Sequence, residues 1–215
     1  MPLNFFEKKS QKILSDFDLI IRYTNAMYTT PVEIQPTQEE LRDLLSLGQL
    51  KSKSLIVELI NKFYSHRNNY KIIIVGSWFG SLGYLIYKYN SSKIPIILLD
   101  KDLRCINFCK VAFGDIKEFS HIHSDMFEYQ YPSNSIIINT ACEHIQNLKD
   151  WINLCPKSCR LILQSNNLFH CKDHINCSND LNDFISKTNL EESQIKYSNE
   201  LSIGDFKRFT IVADL

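Results

Sequence analysis

The chain has 215 residues, 44% of them hydrophobic and 22% charged, a length and balance that suit one α/β domain with a real core and exclude a largely disordered protein. Lysine plus arginine (24) equals aspartate plus glutamate (24), so the basic excess needed to displace counterions along a long nucleic acid is missing, and nucleic acid is disfavoured as a partner. No apolar run approaches the roughly 18 residues of a spanning helix, so no membrane partner is expected. Seven cysteines, an odd number, and a first stretch MPLNFFEKKS with charge where a signal core would be apolar lead us to expect free thiols and a cytoplasmic setting.

There is no internal repeat, low-complexity block or long linker. The first 65 residues read as a helical extension or lid, and 66–215 as the main domain. Glu7 to Thr24 places Ile13, Leu14, Phe17, Leu19, Ile20, Ile21 and Tyr23 along a mostly apolar face. Thr37 with Glu40 is a capping box for a helix carrying Leu41, Leu44, Leu45 and Leu47, and Ser52 to Tyr64 has helical spacing. Arg22, Tyr23, Asn25, Tyr28 and Lys51-Ser52-Lys53 are polar or aromatic groups near helix ends, where an anionic or amino-acid acceptor could be held; ordinary solvated helix ends explain them equally well.

From Lys71 the pattern becomes βαβ. The β-branched run Lys71 to Val75 predicts a strand buried on both faces, followed by a helix over Gly80 to Tyr89. Further strands are expected at Ile94 to Leu99, Phe119 to His123, Ser135 to Ile138 and Cys159 to Gln164. Helices are expected at Leu103 to Phe113, Leu148 to Leu154 and Leu181 to Lys187. Gln194 to Ser198 and Arg208 to Ala213 read as a closing strand pair. The alternation predicts an α/β fold: a doubly wound, mostly parallel, seven-stranded sheet with the N-terminal helical extension.

In such sheets ligands sit outside the carboxyl ends of the strands. There the chain reads Gly76-Ser77-Trp78-Phe79-Gly80, where glycine permits a sharp turn and the next helix exposes N–H groups to an anion. Asp100 closes the next strand, 24 residues after Gly76, where a carboxylate can accept from both hydroxyls of a ribose. Asp125, before Met126 and Phe127, follows the weak third strand and can read an adenine amino group. Each feature alone also suits a turn or a strand-end cap; their order at the ends of successive strands points to a nucleoside cofactor. Tryptophan at 78 breaks the G-x-G-x-x-G spacing of nicotinamide enzymes, and no Lys-Thr or Lys-Ser follows as in a P-loop.

These residues resemble the class I S-adenosylmethionine-dependent methyltransferases, over roughly Lys71 to Leu215 and most strongly from Ile72 to Asn167. The Gly-Ser-Trp-Phe-Gly stretch and Asn139-Thr140-Ala141-Cys142-Glu143-His144 look closest to a bacterial and phage-type branch of that family. The resemblance implies a Rossmann-like methyltransferase fold and S-adenosyl-L-methionine as cofactor. Gly76, Ser77 and Gly80 would line its methionine end, Asp100 would hold the ribose and Asp125 would face the adenine. The full cofactor-facing set adds Trp78, Phe79, Lys101, Met126 and Asn139. One departure stands out: Trp78 occupies the family's usual middle glycine, which puts the shape of the loop in question.

Asn139, Glu143 and His144 are the candidate catalytic residues, Asn139 to orient an acceptor amine and Glu143 with His144 to supply a general base. The competing reading is that Glu143 and His144 cap the following helix. Cys142 reads as an inert, buried small hydrophobe. A second polar cluster holds Gln164, Ser165, Asn166, Asn167, His170, Cys171, His174 and Cys177. His170-x3-His174 lacks a C-x2-C companion, so no metal is expected; Gln164, Asn166, His170 and His174 are instead expected to border an acceptor pocket. The function expected is methyl transfer to a small-molecule acceptor. Aminocarboxypropyl transfer or cyclisation on the same cofactor, and a cofactor-binding module without catalysis, are the alternatives. A homodimer is compatible with the sequence.

Overall fold

The computed structural model describes residues 17–64, 70–90 and 93–215. Its elements run α1 (Phe17–Thr29), a 3-10 turn (Val32–Ile34), α2 (Gln38–Leu44), α3 (Leu47–Tyr64), β1 (Lys71–Val75), α4 (Ser81–Tyr89), β2 (Ile96–Asp100), α5 (Leu103–Phe113) and β3 (Phe119–His123). Then come β4 (Ser135–Asn139), a 3-10 turn (Cys142–His144), α6 (Leu148–Leu154), β5 (Arg160–Asn166), α7 (Leu181–Thr188), a 3-10 turn (Glu192–Gln194), β6 (Ile195–Ile203) and β7 (Phe206–Asp214). Seven strands form one sheet in the order β3-β2-β1-β4-β5-β7-β6. No described helix is long and apolar enough to cross a membrane. The described residues of Met1–Asn68 with Ser77–His123 form one compact unit, and those of Asn69–Gly76 with Ser124–Leu215 form another.

In the first unit, α1 buries Leu19, Tyr23 and Ala26, spaced to share one helical face. The Tyr23 ring packs 5.7 Å from Phe108 and 5.9 Å from Phe113 of α5. Arg22 grips Asp115 beyond the end of α5 with two hydrogen bonds, of 2.7 and 2.9 Å. The part of the expected first helix before Phe17, with Ile13 and Leu14, lies outside the described residues. The capping box at Thr37 and Glu40 forms as the sequence predicts. Glu40 is used twice: its carboxylate also takes Arg104 of α5 in a bidentate pair of 2.9 and 2.5 Å.

Helix α3 begins at Leu47, five residues before the predicted start. Ser52 and Lys53 are therefore buried inside a helix and are not helix-end groups, and Lys53 lies 5.9 Å over the Trp78 ring. Arg22 and Tyr23 are likewise committed to packing. Their sequence reading as acceptor contacts gives way to a structural one.

In the second unit, β1 pairs with β4 and β4 with β5, all parallel, which sets Val75 beside Asn139 and Asn139 beside Leu163. β7 runs antiparallel to both β5 and β6, so the sheet is mixed. The β6–β7 hairpin is longer than the sequence predicts, turning at Gly204, which takes the left-handed φ of 57°. β5 extends two residues past Gln164, carrying Ser165 and Asn166 into the fully buried part of the sheet.

The Glu40–Arg104 pair makes the first unit sensitive to acid. Arg104 pulls the Glu40 carboxyl down from its ordinary 4.5 to about 2. A carboxylate whose pKa is depressed by folding stabilises the fold above the unfolded value and loses that contribution as pH falls. The stability difference between the native chain and Glu40→Gln should be constant above pH 5 and shrink between 4.5 and about 2, as urea melts at stepped pH will read.

Candidate functional site

The turn after β1 is built from alternating left-handed residues: Gly76 (φ 61°), Trp78 (φ 51°) and Gly80 (φ 75°). Trp78 takes the backbone conformation that glycine would take, at a cost of about 1–2 kcal/mol for a residue with a Cβ. This answers the question raised by the sequence. The loop keeps a glycine-like path, while the indole rests 5.6 Å from the Phe79 ring. A side chain at Gly80 would be crowded as well as strained, because a Cβ there would meet Cys109 Sγ at 2.9 Å, Phe113 at 3.0 Å and Leu98 at 3.1 Å. A Cβ at Gly76 would meet nothing within 4 Å.

Several bonds hold this turn in place. Ser77 N–H donates to the Leu99 carbonyl (3.0 Å) and Gly80 N–H to the Ser77 carbonyl (2.9 Å). The buried Tyr23 hydroxyl donates to the Phe79 carbonyl at 2.8 Å. Asp100, closing β2, accepts from Trp78 N–H at 2.7 Å on one oxygen and from Asp102 N–H at 2.9 Å on the other. Burial raises the Asp100 pKa above the usual aspartate value, and those two N–H groups oppose the rise. Each carboxylate oxygen keeps a second lone pair for a further donor. Ser77 Oγ is buried without a hydrogen-bond partner, a polar atom left for a ligand to satisfy.

The other expected cofactor residues divide. Phe79 turns its ring fully into the core against Phe108, leaving only its backbone to the loop. Lys101 is exposed, and its carbonyl meets the His123 ring at 3.0 Å. In the second unit, Asp125 caps its own turn by accepting from Phe127 N–H at 2.8 Å, and the Met126 carbonyl accepts from the Tyr131 hydroxyl at 2.9 Å. Asn139, at the end of β4, is buried and its side-chain carbonyl accepts from Ala141 N–H at 2.9 Å.

Glu143 and His144 do not cap the next helix. They lie in the 3-10 turn Cys142–His144, and α6 starts after Asn147. Glu143 is buried, and one of its oxygens accepts from Arg208 (3.2 Å) and Asn166 (2.5 Å). Its backbone carbonyl also anchors the N–H groups of Ile175 and Asn176. His144 is exposed, with Nδ1 2.9 Å from the Asp173 carbonyl. Cys142 is fully buried, and burial pushes its thiol pKa far up, which keeps it an inert thiol as expected. All seven cysteines are free.

The second polar cluster is not one pocket wall. Gln164 spends its amide on Thr210 Oγ1 at 3.0 Å, and His170 stands exposed. Asn166 belongs to the Glu143 network, and His174 packs edge-on against His144 with ring centroids 4.7 Å apart. The Glu143–Arg208 pair and the His144–His174 contact were not visible in the sequence. Residues 65 and 30 positions apart meet only because the turn after β4 faces the end of β5, the start of β7 and the loop near His174.

The fold is the one seen in S-adenosylmethionine-dependent methyltransferases. A SAM-dependent methyltransferase from Aquifex aeolicus aligns over 83% of this chain and 98% of its own, with a TM-score of 0.58 at 14% identity. The magnesium protoporphyrin IX methyltransferase from Synechocystis PCC 6803, solved with bound SAM, aligns over 96% and 97% with a TM-score of 0.58 at 11% identity. A geranyl diphosphate methyltransferase in complex with GPP and sinefungin aligns over 98% and 99% with a TM-score of 0.60 at 8% identity. No protein-family model and no curated protein matches the chain.

The two glycines of the loop should respond differently to alanine. Gly76→Ala carries only the left-handed backbone cost, about 1–2 kcal/mol. Gly80→Ala adds overpacking of about 1–3 kcal/mol against Cys109, Phe113 and Leu98. Urea denaturation of the two variants should rank Gly80→Ala as the more damaging.

Proposed function

We propose that this protein binds S-adenosyl-L-methionine at the turn after β1 and transfers its methyl group to a small-molecule acceptor. The observation that carries the reading is the Asp100 carboxylate, fixed by the Trp78 and Asp102 N–H groups with an acceptor position left on each oxygen. A vicinal diol matches that arrangement, since its two hydroxyls can each donate to one oxygen. The residues present fit the cofactor on a second count: the Ser77 hydroxyl is buried, has no partner and lies in the same turn.

When bound, the cofactor supplies a methyl group on a positively charged sulfur, open to displacement by a nucleophile. The chain's part is to bind, orient and exclude water. Asp100 would hold the ribose, and Ser77 with the backbone of Trp78 to Gly80 would hold the methionine end. Gly76, Asp125, Met126 and Asn139 are further cofactor-facing residues by the resemblance alone. The resemblance puts His144 on the acceptor side, its ring held by the Asp173 carbonyl 2.9 Å from Nδ1. Glu143, spent on Arg208 and Asn166, is a positioning residue that fixes the turn carrying His144. The match of this fold to methyltransferases over nearly the whole chain supports the reading.

Asp100→Ala should weaken S-adenosylhomocysteine binding by roughly 10- to 100-fold, the worth of a charge-assisted hydrogen-bond pair, with the melting curve still cooperative. Turnover with S-adenosylmethionine and a pool of small acceptors should release S-adenosylhomocysteine. Release of methylthioadenosine would assign aminocarboxypropyl transfer instead, and nucleoside binding without either product would mark a non-catalytic module.

A further inference from the structure

Glu143, His144 and His174 form a constellation that the cofactor reading does not use in full. The ligand atoms that these three side chains offer lie within 4.8 Å of one another. Both imidazoles are oriented from behind. The Asp173 carbonyl sits 2.9 Å from His144 Nδ1, and the Leu168 carbonyl 3.1 Å from His174 Nδ1. A carbonyl only accepts, so each Nδ1 donates, and in the neutral ring Nε2 is the atom left to bind a metal. This is the outer-shell arrangement that prepares histidines for a metal ion.

The carboxylate supplies an independent sign. Glu143 is 3% exposed, and Arg208 and Asn166 both bond its Oε1. Its Oε2 is buried with no hydrogen-bond partner. A buried carboxylate oxygen left without a donor is costly and calls for a cation or a donor. Binding on Oε1 alone holds the carboxylate so that Oε2 is the oxygen left over.

The geometry points to a binding site for one divalent transition-metal ion of the zinc or iron(II) type, held by Glu143 Oε2 and the Nε2 atoms of His144 and His174. Two imidazoles and one carboxylate are a donor set for such ions, and three protein ligands leave positions open for water or a ligand oxygen. Calcium and magnesium are disfavoured because they seek several oxygens, and the single carboxylate is already half neutralised by Arg208. Bonds of about 2.1 Å place donors roughly 3.0–3.5 Å apart, inside the 4.8 Å within which the three ligand atoms lie, so the side chains must draw together on binding. His170, the histidine that the sequence spacing pairs with His174, has no part in the site. This inference rests on the side-chain geometry and not on the cofactor reading.

The test is a titration of the metal-free full chain with Co²⁺ in the absence of any nucleoside, followed by visible absorption, with Zn²⁺ calorimetry in parallel. The expected result is one equivalent bound, with d–d bands, in the native chain and in His170→Ala. Affinity should fall by at least roughly 10- to 100-fold in His144→Ala and in His174→Ala, each checked for native circular dichroism. These two variants spare the Arg208 pair, so misfolding does not confuse the result. Absence of binding, binding unchanged in both variants, or a near-ultraviolet thiolate charge-transfer band showing cysteine ligation would each overturn the assignment. None of those outcomes bears on nucleoside binding, which is titrated separately.

Discussion

A carboxylate at the end of a strand governs the first unit. Asp100 is part-buried, so its charge must be met, and it is met by the N–H groups of Trp78 and Asp102. The first bond fixes the middle of the turn after β1, where Trp78 tolerates a left-handed backbone that few side chains adopt. The second starts α5, whose N-cap Asp102 then accepts from Arg104 N–H at 2.8 Å. From Arg104 the chain of contacts continues through Glu40 to the start of α2. The N-terminal helices are therefore wired to the strand end through α5, and Tyr23 adds a direct bond to the Phe79 carbonyl. A turn supported from so many sides is held ready before any ligand arrives, which lowers the entropy that binding would otherwise cost.

The second unit depends on a different buried charge. Arg208 and Glu143 are both almost wholly removed from water, a placement that costs more in desolvation than one ion pair returns unless further hydrogen bonds satisfy the group. Asn166 and the Thr140 carbonyl provide part of that satisfaction. The network joins the turn after β4 to the end of β5 and the start of β7, and the Glu143 carbonyl ties in the loop at Ile175 and Asn176. One buried residue thus sets the position of both imidazoles, the exposed His144 and the half-buried His174. Chemistry that needs alignment more than strong acid or base catalysis suits a site organised this way.

What the sequence revealed follows from what each residue does. Lys71 to Val75 and Ser135 to Asn139 are legible because both faces of those strands are buried and every position after the first is apolar or strand-end polar. β6 runs past the predicted Ser198 because its half-buried residues alternate with exposed polar ones at a sheet edge, and the run Glu200 to Ile203 carries no apolar block. The early start of α3 was hidden by Gly48, Lys51, Ser52 and Lys53, whose polarity resembles a loop although the last two are buried. Asp100 and the left-handed turn could be placed from spacing and glycine chemistry alone. The roles of Glu143 and His174 could not, because their partners Arg208 and His144 are brought to them by strand order and not by sequence proximity.

The central claim is that Asp100 and the turn beside it receive a nucleoside, and a crystal structure of the chain grown with S-adenosylhomocysteine tests it most directly. The account predicts both ribose hydroxyls within about 3 Å of the Asp100 carboxylate oxygens, with the Ser77 hydroxyl acquiring a partner. Density for the nucleoside elsewhere, or a turn left empty at saturating ligand, would contradict it.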